Sequence, residues 1–213
     1  MKGFLNPDNP VMNFITSVVS CVWLNILWFI FSIPIFTIGA STTALFYVTL
    51  KMADNEEGNL TSQFVTAFRS NFRFSTKVWL ILLALLVIFG VDGYVLWHIH
   101  YTNVFWTILT AIFIVACVAL AIILMYIFPL MARFENTIQA MFKNSLLLGI
   151  RYLICTALMA CIYFLMLLVI VRFFTPAVIF GEGLCAFLCS LLLTRIMHLL
   201  EGQEKSSDDH PDE

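Results

Sequence analysis

The sequence predicts an all-α fold, a polytopic integral membrane bundle of helices, and three observations carry that reading. Of its 213 residues, 62% are hydrophobic and only 11% are charged, whereas an average soluble domain carries about 25% charged residues. Mean hydropathy is +0.97. The apolar residues also gather into long runs instead of recurring with the period of a water-facing surface. In lipid, a helix is the element that satisfies its own backbone hydrogen bonds. No polar block longer than roughly 25 residues separates the runs, which leaves no room for a soluble catalytic domain.

Residues 1–198 read as a single transmembrane helical domain. Residues 199–213 read as an acidic, disordered cytoplasmic tail, because 201–213 holds six acids and one lysine, and such a composition stays solvated. The N-terminus does not read as a secretory signal: Lys2 is its only basic residue, polar NPDNP follows, and no clean A-x-A site closes the apolar run.

The first span covers about 13–31, and the next stretch reads FSIPIFTIGASTTAL. Pro34 disrupts a continuing helix, Gly39 suits a turn, and Ser41 or Thr42 can cap a new helix. The run from Ala44 to Leu50 leaves no polar face, which favours a second crossing over a surface helix. At about 20 Å, the helix 41–53 is short for a crossing. Six spans with both termini cytoplasmic is the preferred reading. Five spans, with 41–53 on the surface and Lys2 outside, is the alternative. The remaining spans run over about 77–98, 103–128, 151–171 and 176–198, each near the roughly 20 residues a bilayer requires.

Cations set the orientation. Lys51, Arg69, Arg73 and Lys77 fall in one connection and Arg133, Lys143 and Arg151 in another, while HIHYTN has none and VRFFTP only Arg172. The two basic connections therefore face the cytoplasm of a multi-pass cell-membrane protein. Trp97, Tyr101 and Trp106 cluster about an outer connection, as interfacial aromatics do.

Each basic connection contains an amphipathic helix. In LTSQFVTAFRSNFRFSTKVW (60–79), Phe64, Phe68 and Phe72 recur every four residues beside Arg69, Arg73 and Lys77. On a helix these form adjoining aromatic and basic stripes, suited to anchoring in the headgroup region or to docking a partner. In PLMARFENTIQAMFKNSLLLG (129–149), Leu130, Phe134, Ile138 and Met141 share one face, with Arg133 and Lys143 elsewhere. Three cations so close to a bilayer are too few for nucleic acid.

Two acids interrupt the spans, Asp92 in FGVDGYV and Glu182 in FGEGLC. An acid in a span costs at least about 2.5 kcal/mol on insertion scales, so it faces protein or water. One reading pairs Arg172 with Glu182 across a tight hairpin and bonds Asp92 to a neighbouring helix. Another joins Asp92 and Glu182, with Arg172, His98 and His100 entering from the same side, into an outward-facing polar pocket for a ligand or protons. His98 and His100 are poorly spaced for a metal site on one helix. The six cysteines lie inside apolar runs without C-x-x-C, so neither a disulfide framework nor a metal site is expected. No H-E-x-x-H, G-x-S-x-G or nucleotide-binding motif occurs. The chain reads as no enzyme, with no cofactor and no nucleotide.

The block NILWFIFSIPIFTIGASTTALFYVTLKMADNEEGN, followed by FVTAFRSNFRFST, resembles the YesL-like family of small bacterial membrane proteins, as does the later MARFENTIQAMFKNSLLLGIRYL. That resemblance implies an accessory role in sugar or oligosaccharide import in Gram-positive bacteria, beside carbohydrate permease subunits, and supplies no catalytic residues. The expected function is an integral membrane accessory or interaction protein supporting carbohydrate import. Phe64, Phe68, Arg69, Phe72, Arg73, Arg133 and Lys143 would form its cytoplasmic contact surface. The alternative is a stand-alone small-solute transporter or channel working through Asp92 and Glu182.

Overall fold

The computed structural model describes the backbone of residues 10–56, 58–98, 104–172 and 177–209, with side chains over 16–56, 58–98, 104–169, 171–172 and 181–200. Among these residues there are seven α-helices and no strand. They are α1 (Pro10–Ser32), α2 (Ile38–Ala53), α3 (Leu60–His98), α4 (Val104–Arg133), α5 (Ile138–Arg151), α6 (Leu153–Arg172) and α7 (Ala177–Asp209). Four segments are long and apolar enough to cross a membrane: Ile35–Ala53, Leu60–His98, Val104–Arg133 and Gly181–Leu200. A fifth arises if α5 and α6, bent by 98°, are taken as one span, while the apolar part of α1, Thr16–Ser32, is shorter. The expected six spans would need α1 and α6 each to cross in full.

The all-α bundle forms around α2. The break before it is built by local chemistry. Pro34 is extended, a single 3-10 turn covers Ile35–Thr37, and the Thr37 hydroxyl lies 2.7 Å from the Phe31 carbonyl and 2.6 Å from that of Pro34. The helix that follows is buried almost throughout, from Gly39 to Leu50 with only Tyr47 partly exposed. It packs on α1, α3, α4 and α7. Its hydroxyls need partners at that depth, and most find them on the preceding turn: Ser41 donates to the Thr37 carbonyl at 3.1 Å and Thr43 to that of Gly39 at 2.9 Å. Others bind neighbouring helices. Trp28 donates to Thr42 at 3.1 Å, and Thr49 meets Ser190 of α7 at 2.8 Å.

Small residues set how closely the helices approach. A Cβ added at Gly39 would overlap that of Trp79 and come within 2.9 Å of the Ser75 carbonyl of α3. Trp79 in turn donates to the Ile35 carbonyl at 2.8 Å. A Cβ at Gly183 of α7 would run into the Cys21 carbonyl of α1, and Asn25 accepts from the Gly183 amide at 2.9 Å. Since α2 starts beside Ser75 and Trp79 and ends at the connection to α3, it lies along the first half of α3.

The helix α3 has 39 residues, about 58 Å by helix rise, nearly twice a hydrocarbon core of about 30 Å. Residues 78–98 suffice for a crossing. The expected separate helix over 60–77 is therefore corrected: the segment is helical and amphipathic but continuous with the span, because no Gly or Pro interrupts 60–89. The second amphipathic helix is also redrawn. Residues 129–133 complete α4, and α5 starts afresh at Ile138, capped by Thr137, whose hydroxyl accepts from the Ala140 amide at 3.4 Å. At the other end α7 runs on to Asp209, so 199–209 is helical where a disordered tail was expected. Leu199, Leu200, Glu201, Gln203, Glu204 and Lys205 are good helix formers, and no proline precedes Pro211 in this stretch.

Away from this packed region the bundle opens out. Val91 of α3, Val115 of α4 and Phe164 of α6 are 57%, 69% and 60% exposed, among many large apolar side chains of these helices. A water-soluble surface rarely carries a continuous apolar area of this kind; a lipid-facing one requires it.

The Gly39 contact generates a paired expectation. Gly39→Ala should destabilise the solubilised protein by about 1–3 kcal/mol through overpacking, seen as a lower thermal transition in mild detergent. Gly90→Ala, where nothing lies within 4 Å of the added Cβ, should leave the transition unchanged or raise it. Equal behaviour of the two variants would contradict the tight α2–α3 approach.

Candidate functional site

The charged groups of the described residues meet most closely where α2 ends. Its C-terminus closes with Asn55 in the left-handed region at φ 57°. The Glu56 amide donates to the Lys51 carbonyl at 3.0 Å and the Asn55 amide to that of Met52 at 3.1 Å, the paired bonds of a Schellman cap. Asparagine tolerates that φ better than most residues. The turn leaves Asp54 with its side chain 9% exposed, facing two other helices.

Arg133 at the end of α4 donates from Nη1 to Asp54 Oδ2 at 2.7 Å, and His198 Nε2 of α7 lies 2.9 Å from Oδ1. Beside them Lys51 pairs with Glu56 at 3.1 Å on the more exposed rim. A cleft of about 140 Å³ opens here, lined by Tyr47, Lys51, Asp54, Glu56 and Arg133 among others. Burial alone would raise the Asp54 carboxyl, but the bonds from His198 and Arg133 outweigh it and hold the group below the usual carboxylate value. A carboxylate at a helix C-terminus is opposed by the macrodipole, so these partners offset an unfavourable position. The node ties α2, α4 and α7 together.

The expected contact residues divide. Phe64 is fully buried, its ring edge-on to Phe31 at 5.6 Å, so it is corrected from partner contact to core. Phe68 packs on Phe31 at 4.9 Å and Phe72 on Phe68 at 5.4 Å, both partly exposed. The reason is that α1 and α2 cover this side of α3. Arg133 is likewise drawn inward by Asp54 and is not an open contact. Arg69, Arg73 and Lys77 on α3, and Lys143 on α5, are exposed.

The residues of the expected polar pocket sit on three different helices, Asp92 on α3, Arg172 on α6 and Glu182 on α7. Asp92 is exposed on α3, which packs on α1, α2 and α4, whereas Glu182 is half-buried on α7, which packs on α1, α2 and α6. Arg172 is exposed, and among the described residues it forms no ion pair with Glu182. His98 bonds through Nδ1 with the Tyr94 carbonyl of its own helix at 3.1 Å. His100 and Tyr101 lie outside the described residues.

Asp54 and His198 were not singled out in the sequence. The available signal was local: an acid at the C-terminal end of an apolar run, next to an asparagine able to terminate it.

Residues 21–93 match the family model DUF624, described as a protein of unknown function. YesL-like families carry this domain. No curated protein and no solved structure matches the chain. The DUF624 match covers the second half of α1, all of α2 and nearly all of α3, hence Gly39, Trp79 and Asp54 but neither Arg133 nor His198.

Two outcomes test the node. The folded Asp54 carboxyl titrates below its unfolded value of about 3.9, so its stabilisation is complete above that pH and is lost as pH falls through the lower, folded value. Asp54→Asn should cost about 1.5–3 kcal/mol at pH 7, and its deficit against wild type should shrink on acidification below about pH 4. A deficit independent of pH in thermal unfolding would show that the charge is not what matters. At the cap, Asn55→Gly should be tolerated and Asn55→Val should cost about 1–2 kcal/mol, by the same measurement.

Proposed function

We propose that the protein is an integral cell-membrane accessory subunit that docks a partner at its basic end and supports oligosaccharide import. The observation that carries this reading is the extension of α3. Residues 60–77 prolong a spanning helix by about 27 Å of helix rise, and α1 and α2 support one side of them. The other side exposes Arg69, Arg73 and Lys77, none paired with an acid among the described residues. Phe68 and Phe72, half-covered, border these cations. A rigid basic ridge edged by aromatic rings is built to meet an acidic, partly apolar surface.

In this reading the cations orient the chain. The ridge and Lys143 face the cytoplasm, as does Arg151 at the end of α5, and the connections after α3 and α6 face outward. Both termini are then cytoplasmic, with α1 and α2 as the first two of six crossings. The contact residues are Phe68, Arg69, Phe72, Arg73 and Lys143. The sugar-import context is supplied by the resemblance to the YesL-like family and by nothing in the geometry. The transporter alternative draws no support from the separate placement of Asp92 and Glu182.

Affinity purification from native membranes in mild detergent tests the proposal. A carbohydrate permease subunit or its cytoplasmic ATPase should be recovered with the wild type. Recovery should fall at least about tenfold with Arg69→Glu and Arg73→Glu combined, since reversing rim charges turns attraction into repulsion, while membrane insertion persists. Absence of any such partner, together with unchanged glycan-dependent growth of the double variant, would overturn it.

A further inference from the structure

A second feature at the same end carries a separate assignment. A groove of about 270 Å³ opens between α5 and the ends of α4 and α7. Met141, Leu148 and Leu200 contribute an apolar wall, and Asn136, Asn144 and Arg151 a polar rim. The chain turns through 98° at the end of α5 into α6. With α6 crossing the bilayer, α5 lies along its surface, which puts the groove at the boundary between headgroups and acyl chains.

The charge of the rim is one-sided. Arg151 is exposed and pairs with no acid among the described residues. Its guanidinium stands over the Tyr152 ring at 5.8 Å, which steadies it at the bend. The side-chain amides of Asn136 and Asn144, both exposed, make no hydrogen bond to protein among the described residues, and among those same residues no carboxylate lines the groove. One fixed guanidinium and two amide donors above an apolar trough complement a phosphodiester attached to a hydrocarbon chain. A zwitterionic headgroup brings a cation close to Arg151 and fits less well.

We infer that this groove binds one anionic phospholipid, its phosphate on Arg151 and the Asn136 and Asn144 amides, with part of an acyl chain against Leu147, Leu148 and Leu200. The site is independent of the docking ridge on α3, so either assignment can fail alone.

Native mass spectrometry of the full chain, released from micelles containing phosphatidylglycerol or phosphatidylcholine, tests it. One phosphatidylglycerol should be retained, at least about fivefold in preference to phosphatidylcholine, as expected of one interfacial cation. Arg151→Gln should weaken retention about tenfold, the scale of a charged hydrogen bond, with Arg151→Lys intermediate. Leu147→Ser, on an exposed groove residue, should weaken it without unfolding the protein, because it removes contact with the acyl chain. Equal retention of the two lipids, or retention unaffected by Arg151→Gln, would overturn the assignment. Displacement of the lipid by millimolar inorganic phosphate, with no effect of Leu147→Ser, would also overturn it by making the occupant a free anion.

Discussion

Everything else in the molecule depends on the close burial of α2, a 16-residue helix enclosed by four others. Helices in lipid gain nothing from hiding apolar side chains from one another, because acyl chains are as apolar as leucine. Cohesion has to come from van der Waals contact at short range and from hydrogen bonds. Both are concentrated on α2. Gly39 lets the backbone of α3 come close, and the hydroxyls of Thr42 and Thr49 reach α1 and α7. A leucine-rich helix of the same length would be no less at home in lipid, but it would hold its neighbours further apart.

The same reasoning explains why the molecule has two regions. Around α2, residues of α1, α3, α4 and α7 share one core that includes Leu24, Phe64, Tyr126 and Leu193. Beyond it, the far halves of α3 and α4 touch chiefly each other, with Phe89 and Phe113 stacked at 5.7 Å. Their exposed valines and isoleucines are solvated by lipid and contribute little to holding the bundle together. Tyr126 marks the transition: it is fully buried and bonds Thr156 of α6 at 2.9 Å, and α4 is enclosed from there to Met131. The functional proposals both fall at the compact end, where rigid helices can hold side chains in place.

How much of this the sequence discloses depends on the range of the interaction. The helices of the far region are legible, because long apolar runs carry their own signal. So is the break at Pro34, which rests on one residue's missing amide. The direction of the Phe64 stripe is not legible: period alone cannot distinguish rings that face lipid from rings that face another helix, and Phe31, which covers Phe64, is 33 residues away. Continuity of α3 is missed for a related reason. A change from polar to apolar composition near Lys77 marks where the environment changes, not where a helix ends. The Asp54 node joins residues 79 and 144 positions apart, and such pairings leave no local pattern. Its acid could still have been suspected, since a carboxylate on a helix C-terminus is out of place unless a cation comes to it.

That misplacement explains what the node does. An ion pair withdrawn from water recovers little more than its desolvation cost, and apolar residues of similar volume would often be at least as stable. Net stability is therefore a weak reason for Asp54. Geometry is a better one. The Schellman turn fixes the carboxylate relative to α2, and its two oxygens then accept from α4 and α7 separately. An apolar contact at the same point would tolerate a shift of α4 or α7 by a fraction of a turn, whereas bonds of 2.7 and 2.9 Å would not. The same stretch of α7 places Leu200 in the wall of the α5 groove, two residues beyond His198. Fixing His198 on Asp54 thus fixes that wall as well, so the position of α2 reaches the lipid-facing groove through one turn of helix.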